Sequence, residues 1–180
     1  MASPLDIERL ISKRVKEIES SGIRRVWALA HTCKDPINLS IGQPDFAVSD
    51  SLKQAAIDAI ISDKNGYTHT SGDVGLLSTV HERLNNQFGW EFDDTSPHGS
   101  MITSGTAGAL TLACLVVLEP GDEIIIPDPY FVIYPTLARI SEAKAVLCDT
   151  YPDFRMTVER IESCITEKTK AVLLNSPANP

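Results

Sequence analysis

No run of 18 apolar residues occurs in this chain of 180, so no membrane-spanning helix is expected. Basic charge is scarce: 16 Lys and Arg stand against 24 Asp and Glu, a net charge of −8. Binding a phosphate backbone needs a basic surface, which argues against a nucleic-acid partner. Arg24-Arg25 is the densest cationic pair and reads as a solvated face. The opening residues, Met1-Ala2-Ser3-Pro4-Leu5-Asp6, lack the basic-then-apolar layout of a secretory signal. Cysteine is sparse: Cys33, Cys114, Cys148 and Cys164 are widely spaced, with no CxxC. That argues against a metal site and for small buried residues in a reducing compartment, so the expected location is cytoplasmic. His31, His69, His81 and His98 show neither metal spacing nor a nucleophile partner, and read as structural or exposed. Two phosphate fingerprints are also missing. There is no Gly-Lys-Ser/Thr, and of GxGxxG only Gly105 and Gly108 are present.

What remains is globular composition, 43% hydrophobic and 22% charged. The length suits one ordinary domain or part of a larger one. Ser3, Pro4 and Asp6 open a helix whose Ile7, Leu10, Ile11, Val15 and Ile18 keep helical spacing to Ser21-Gly22. Ile37–Ile41 alternates like a short strand and enters the turn Gly42-Gln43-Pro44-Asp45. Leu52, Ala55, Ala56, Ala59 and Ile60 form a second helical stripe, and Leu77, Val80, Leu84 and Phe88 a third.

After Asp93-Asp94 the pattern changes. Met101–Thr103 reads as a strand and Gly105–Val117 as a helix. The unbroken Ile124-Ile125-Ile126 reads as a strand covered on both faces. Val132–Ser141 is a helix, Ala145–Cys148 a strand, Val158–Ile165 a helix and Ala171–Leu174 a strand. This β-α-β-α-β-α-β order predicts a parallel sheet in a three-layer α/β/α arrangement, preceded by an N-terminal helical segment. Ligands of such sheets sit at the carboxyl ends of the strands. That rule selects residues 104–108, 127–134, 149–151 and 175–180.

Each of these segments has a chemistry to offer. Ser104-Gly105-Thr106-Ala107-Gly108 joins a strand to a helix start, where small residues and unpaired amides favour an anion. Pro127-Asp128-Pro129-Tyr130-Phe131 forces an extended exit and carries rings able to stack on a flat ligand. Asn179, between Ala178 and Pro180, offers a neutral donor and acceptor. Tyr67 and Gly42 are further candidates. Read without ligands, the same features are a tight turn, aromatic packing and ordinary turn or surface residues.

Five segments, taken in order, resemble the class I/II aminotransferases, fold-type-I enzymes that use pyridoxal 5'-phosphate. Asn38–Phe46 resembles L-x-x-G-x-P-D-F, and Tyr67…Gly72…Leu76 resembles Y-x-x-x-x-G-x-x-x-L-R. Ile102–Leu110 resembles the phosphate turn. Glu119-Pro120-Gly121-Asp122 with Pro127-Asp128-Pro129-Tyr130 resembles P-G-D…P-x-P-x-Y, and Asn175–Pro180 the beginning of N-x-P-x-N-P-T-G. The resemblance runs from about Leu5 to Pro180. It departs from the pattern at Leu77, where an Arg is usual, and at Gly75, which replaces a common acidic residue.

The resemblance implies roles. Amides of Gly105, Thr106 and Ala107 would hold the cofactor phosphate, and Phe131 would stack on the pyridine ring. Asn179 would bond its phenolic oxygen and lie near the substrate carboxylate, which the Gly42 backbone also approaches. Tyr67 would reach the phosphate in the neighbouring subunit of a homodimer. Substrates would be an amino acid and a 2-oxo acid. Residues 1–45 would belong to an arm or small domain, and 46–180 to the first part of the cofactor-binding large domain. No lysine matches the family's Schiff-base position, since Lys168 and Lys170 precede the last strand. The expectation is therefore an N-terminal fragment without a catalytic residue of its own. The family sheet order, 3-2-4-5-6-7-1, would leave its first strand without a neighbour here. Three other readings stay open: a related pyridoxal-phosphate lyase, a non-catalytic binding or regulatory domain of the same fold, and a generic mononucleotide-binding α/β domain.

Overall fold

The computed structural model describes residues 7–18, 22–37, 39, 42, 44–93 and 95–178. In chain order its elements are a 3₁₀ turn Ile7–Arg9, α1 (Lys13–Lys16), α2 (Gly22–Ala30), α3 (Asp50–Ile61), α4 (Val74–Phe88), α5 (Gly105–Val117), β1 (Glu123–Asp128), α6 (Ile133–Ile140), β2 (Lys144–Asp149), α7 (Val158–Cys164) and β3 (Thr169–Val172). The chain divides into two compact units, Met1–Ser40 with Thr106–Pro180, and Ile41–Gly105.

The first unit is built on β1. All three strands run parallel in the order β2-β1-β3. β1 takes the centre because its isoleucines suit a strand covered on both faces. Successive side chains point to opposite faces. Ile124 and Ile126 meet Cys114 and Leu118 at the end of α5, and Tyr134, Leu137 and Ala138 of α6. On the other face Ile125 and Cys148 are fully buried. Their register, Ile125 opposite Val146 and Pro127 opposite Cys148, puts them on one side. α7 covers this side, with its Cys164 Sγ 3.8 Å from the Leu147 carbonyl oxygen. Burial of each isoleucine contributes about 1.5–3 kcal/mol, so β1 anchors the three layers. The expected α/β architecture is present.

The amino edge of the sheet is closed by charge. Glu123 is buried, which demands partners for its carboxylate. Thr166 Oγ1 donates to it at 2.7 Å and Lys144 Nζ at 3.0 Å. These bonds, Thr166 first, hold the carboxyl below its ordinary range.

In the second unit α4 begins at Asp73, whose carboxylate accepts the Leu76 N–H at 2.9 Å, and ends at Gly89, in the left-handed conformation. Leu77 is buried in α4, so the residue standing where the family usually has an arginine serves packing here. His81 stacks on Phe92 at 4.0 Å and bonds Ser100 Oγ at 2.5 Å. His98 stacks on Trp90 at 5.3 Å. Both are structural.

Several sequence expectations need correction. The single N-terminal helix is only a 3₁₀ turn and the four-residue α1. Leu10 is 72% exposed and Val15 50%. An apolar stripe without a covering surface does not sustain a helix, because nucleation is costly. α2 was not expected. Ile37–Ile41 lies partly outside the described residues, and Ile37 and Leu39 are exposed. Met101–Thr103 joins no ladder among the described residues; the Ile102 N–H donates instead to the Ser71 carbonyl at 2.8 Å. Cys33 is exposed, not buried, and Cys164 is half-buried. Among the described residues, no helix is long and apolar enough to cross a membrane, and no cluster of His, Cys, Asp or Glu has metal-binding geometry.

Candidate functional site

The strands end on one cleft. Pro127 and Pro129 flank the end of β1, Thr150 follows β2, and Leu174, Asn175, Ser176 and Ala178 follow β3; together with Phe154 and Met156 they line a volume of about 560 Å³. Thr150 ties two of these ends together. Its N–H and its hydroxyl both donate to the Asp128 carbonyl, at 3.2 and 2.7 Å. The peptide bonds preceding Pro129, Pro152 and Pro177 are all cis. The cleft therefore sits where a parallel sheet presents its ligands.

The turn into α5 is a separate candidate. Gly105 has φ +68, which L side chains rarely adopt, and a Cβ placed there would meet no atom within 4 Å. The turn is locked locally: Gly105 N–H donates to the Thr103 carbonyl at 2.8 Å, and Thr103 Oγ1 donates to the Gly105 carbonyl at 3.0 Å. Thr106 and Ala107 are exposed in the first helical turn. Amides at this position have no intrahelical acceptor, and the helix dipole adds partial positive charge. The Gly105 amide, by contrast, is already bonded within the turn.

Phe131 is half-buried. Its ring meets Tyr134 edge-on, centroids 5.9 Å apart, and it packs against the cluster formed by α5, β1 and α6. That bracing fixes the ring. Tyr67 is fully exposed, and Gly42 is exposed in open space. Asn179 lies outside the described residues. Thr106, Ala107 and Phe131 belong to one compact unit; Gly42, Tyr67 and Gly105 belong to the other. Neither Phe131 nor the α5 turn contributes to the lining of the 560 Å³ cleft.

The lysines of the sheet stand at its other end. Lys144 is the first residue of β2, and the Lys168 carbonyl accepts the N–H of Glu123, the first residue of β1, at 2.8 Å. Lys170 is the second residue of β3. All three are at the amino edge, away from the cleft.

Sequence reasoning missed Arg160. From α7 its guanidinium bonds the Asp153 carboxylate at 2.6 Å and reaches three backbone carbonyls of the loop after β2. The guanidinium holds the Asp153 carboxyl below its ordinary range. No motif contains Arg160; the one available hint was an Asp seven residues earlier, across a turn rich in aromatics.

Similarity to known proteins gives the family. Residues 34–180 match the family model described as "Aminotransferase class I and II", and the chain belongs to that family. It is 38% identical over 176 residues to an aspartate aminotransferase of Rhizobium meliloti, covering 96% of this chain and 42% of that protein. It is 35% identical to a probable N-acetyl-LL-diaminopimelate aminotransferase of Bacillus subtilis, covering 97% and 44%. The crystal structure of an aspartate aminotransferase from Rhizobium meliloti superimposes with a TM-score of 0.82 at 36% identity, over 94% of this chain and 43% of that one. The chain thus spans a little over two-fifths of the length of these relatives.

Proposed function

We propose that these 180 residues form the cofactor-cradling part of a pyridoxal-phosphate aminotransferase that moves an amino group between an amino acid and a 2-oxo acid. The observation that carries the reading is the α5 turn. A glycine at φ +68 with open space around it precedes the exposed amides of Thr106 and Ala107, which suits a phosphate dianion. The residues present fit the cofactor: an anion site at a helix start, and a braced aromatic ring at Phe131. When bound, pyridoxal phosphate supplies an electron sink for the substrate carbanion.

The chain's own part is binding and orientation. Thr106 and Ala107 hold the phosphate through their amides, with Gly105 giving the backbone room to approach. Phe131 presents a flat face to the ring. From the family resemblance, Asn179 would complete the ring contacts, the Gly42 backbone would approach the substrate carboxylate, and exposed Tyr67 would serve the second subunit of a homodimer. The division at 45/46 into arm and large domain, and a cytoplasmic location, belong to the same proposal. No lysine is assigned as catalytic, because Lys144, Lys168 and Lys170 stand at the wrong edge of the sheet.

Titrating the protein with pyridoxal phosphate, with inorganic phosphate as competitor, tests the cradle. Binding with competition is expected. Borohydride reduction and peptide mapping then test the lysine assignment. Stoichiometric labelling of one lysine would contradict it, and binding indifferent to phosphate would remove the α5 turn from the site.

A further inference from the structure

Arg160 reaches back from α7 into the loop that forms the outer wall of the cleft. Its Nη1 donates to the Asp153 carboxylate at 2.6 Å, to the Arg155 carbonyl at 2.6 Å and to the Thr150 carbonyl at 3.1 Å. Its Nη2 donates to the Tyr151 carbonyl at 3.0 Å. Nη1 has two hydrogens for three acceptors, so one is shared. Residues 150 and 155 are the two ends of the loop, so a single planar group closes it.

The loop needs such a clasp. Phe154 has φ +57, a conformation that side chains rarely adopt without being held. Its N–H donates to the Thr150 carbonyl at 2.7 Å, the carbonyl that Arg160 also bonds. Phe154, Met156 and Thr150 then face Leu174, Asn175 and Ala178 across the cleft. α7 is itself set in place by Thr157, whose hydroxyl accepts the Arg160 N–H at 3.4 Å.

We infer that Arg160 is a positioning residue of the carboxyl-edge cleft: it fixes the 150–156 wall against the turn after β3, and so sets the room available to a ligand there. The consequence for pyridoxal phosphate rests on the function proposed above; the clasp itself does not. A guanidinium is planar, always charged and able to serve several carbonyls at once, which an ammonium group cannot reproduce.

The test uses Arg160→Met, which keeps an apolar stem and removes every donor, and Arg160→Lys, which keeps the charge and loses the fork. Asp153→Asn, a milder change to the same loop, serves if Arg160→Met fails to fold. Hydrogen exchange by mass spectrometry reads peptides over 150–156, with the 124–126 segment of β1 as reference. Exchange in the loop is expected to rise roughly tenfold in Arg160→Met and less in Arg160→Lys, with β1 unchanged. The dissociation constant for pyridoxal phosphate is expected to weaken roughly tenfold, because the proposed ring contact Asn179 directly follows Ala178 of the cleft lining, while that for inorganic phosphate holds, because the α5 amides sit on another element. Loop exchange equal to wild type in both Arg160 variants overturns the inference. So does a loosened loop with undiminished pyridoxal phosphate affinity, which leaves Arg160 a purely structural role. A wild-type protein that binds no pyridoxal phosphate, while Arg160→Met still loosens the loop, refutes the cofactor reading and leaves the clasp standing.

Discussion

Gly72→Ala is expected to be the most damaging single-methyl change in the Ile41–Gly105 unit. A Cβ at Gly72 would lie 2.7 Å from both Cβ and Cγ1 of Ile102. Non-bonded carbons prefer about 3.5–4.0 Å, so one of the two segments must retreat by roughly 1 Å. Ile102 is poorly able to do so. It is β-branched and stiff at χ1, and its N–H is bonded to the Ser71 carbonyl at 2.8 Å. Overpacking of this kind costs about 1–3 kcal/mol. The backbone adds to this, because Gly72 has φ +117, where a side chain costs about 1–3 kcal/mol more. The sum, roughly 2–6 kcal/mol, is a large part of the 5–15 kcal/mol typical of a folded domain. Urea denaturation followed by Trp90 fluorescence measures it. Gly66→Ala is the control: nothing lies within 4 Å and φ is ordinary, so its effect is expected within about 0.5–1 kcal/mol of wild type. Adding Ile102→Ala should recover only part of the loss, since the Ile102 Cβ remains. Ile102 leads directly into the Thr103–Ala107 turn, so Gly72→Ala should also weaken phosphate binding. If Gly72→Ala unfolds at the same urea concentration as Gly66→Ala, the steric argument fails.

Three further outcomes are expected. Asp73→Ala removes the cap of α4, whose carboxylate accepts the Leu76 N–H at 2.9 Å, and should cost about 1 kcal/mol in the same urea assay. The Asp153 carboxyl titrates below its ordinary value because Arg160 donates to it. A depressed folded pKa means the contribution is complete above the unfolded value of about 4 and is lost as pH falls through the lower, folded value. Exchange over 150–156 should therefore be flat from neutral pH down to about 5, after correction for intrinsic rates, and rise below about 4; a rise already between 7 and 6 would assign the loop to another group. β3 pairs with β1 on one side and, among the described residues, with no strand on the other, while Val172 and Leu174 remain exposed. An open apolar edge invites pairing, so sedimentation should show association at micromolar concentrations that Val172→Lys reduces.

Much of the fold was legible because its signals are local. The run Ile124-Ile125-Ile126 names a strand buried on both faces, and Gly105 to Val117 reads as a helix with the bounds later observed. The motif residues around Gly105 and Phe131 pointed to an anion site and a stacking ring. Gly72 was visible only as a motif letter; its reason, the approach of Ile102, depends on a segment thirty positions away in sequence. The N-terminal stripe was misread because periodicity says which face is apolar but not whether anything covers it. Met101–Thr103 has strand composition, yet a strand exists only by pairing, and composition does not supply the partner.

The sequence by itself determined the family, the order of helices and strands from Gly105 to Val172, and the residue types available to hold a phosphate and a ring. These depend on short-range patterns and on motifs a few residues long. Only the tertiary structure decided that Lys144, Lys168 and Lys170 stand at the amino edge, that the Gly105 amide is spent within its own turn, and that Arg160 clasps the cleft wall. Those facts turn on which groups meet across a parallel sheet, and a ladder's direction and a loop's closure are set by contacts between residues distant in the chain.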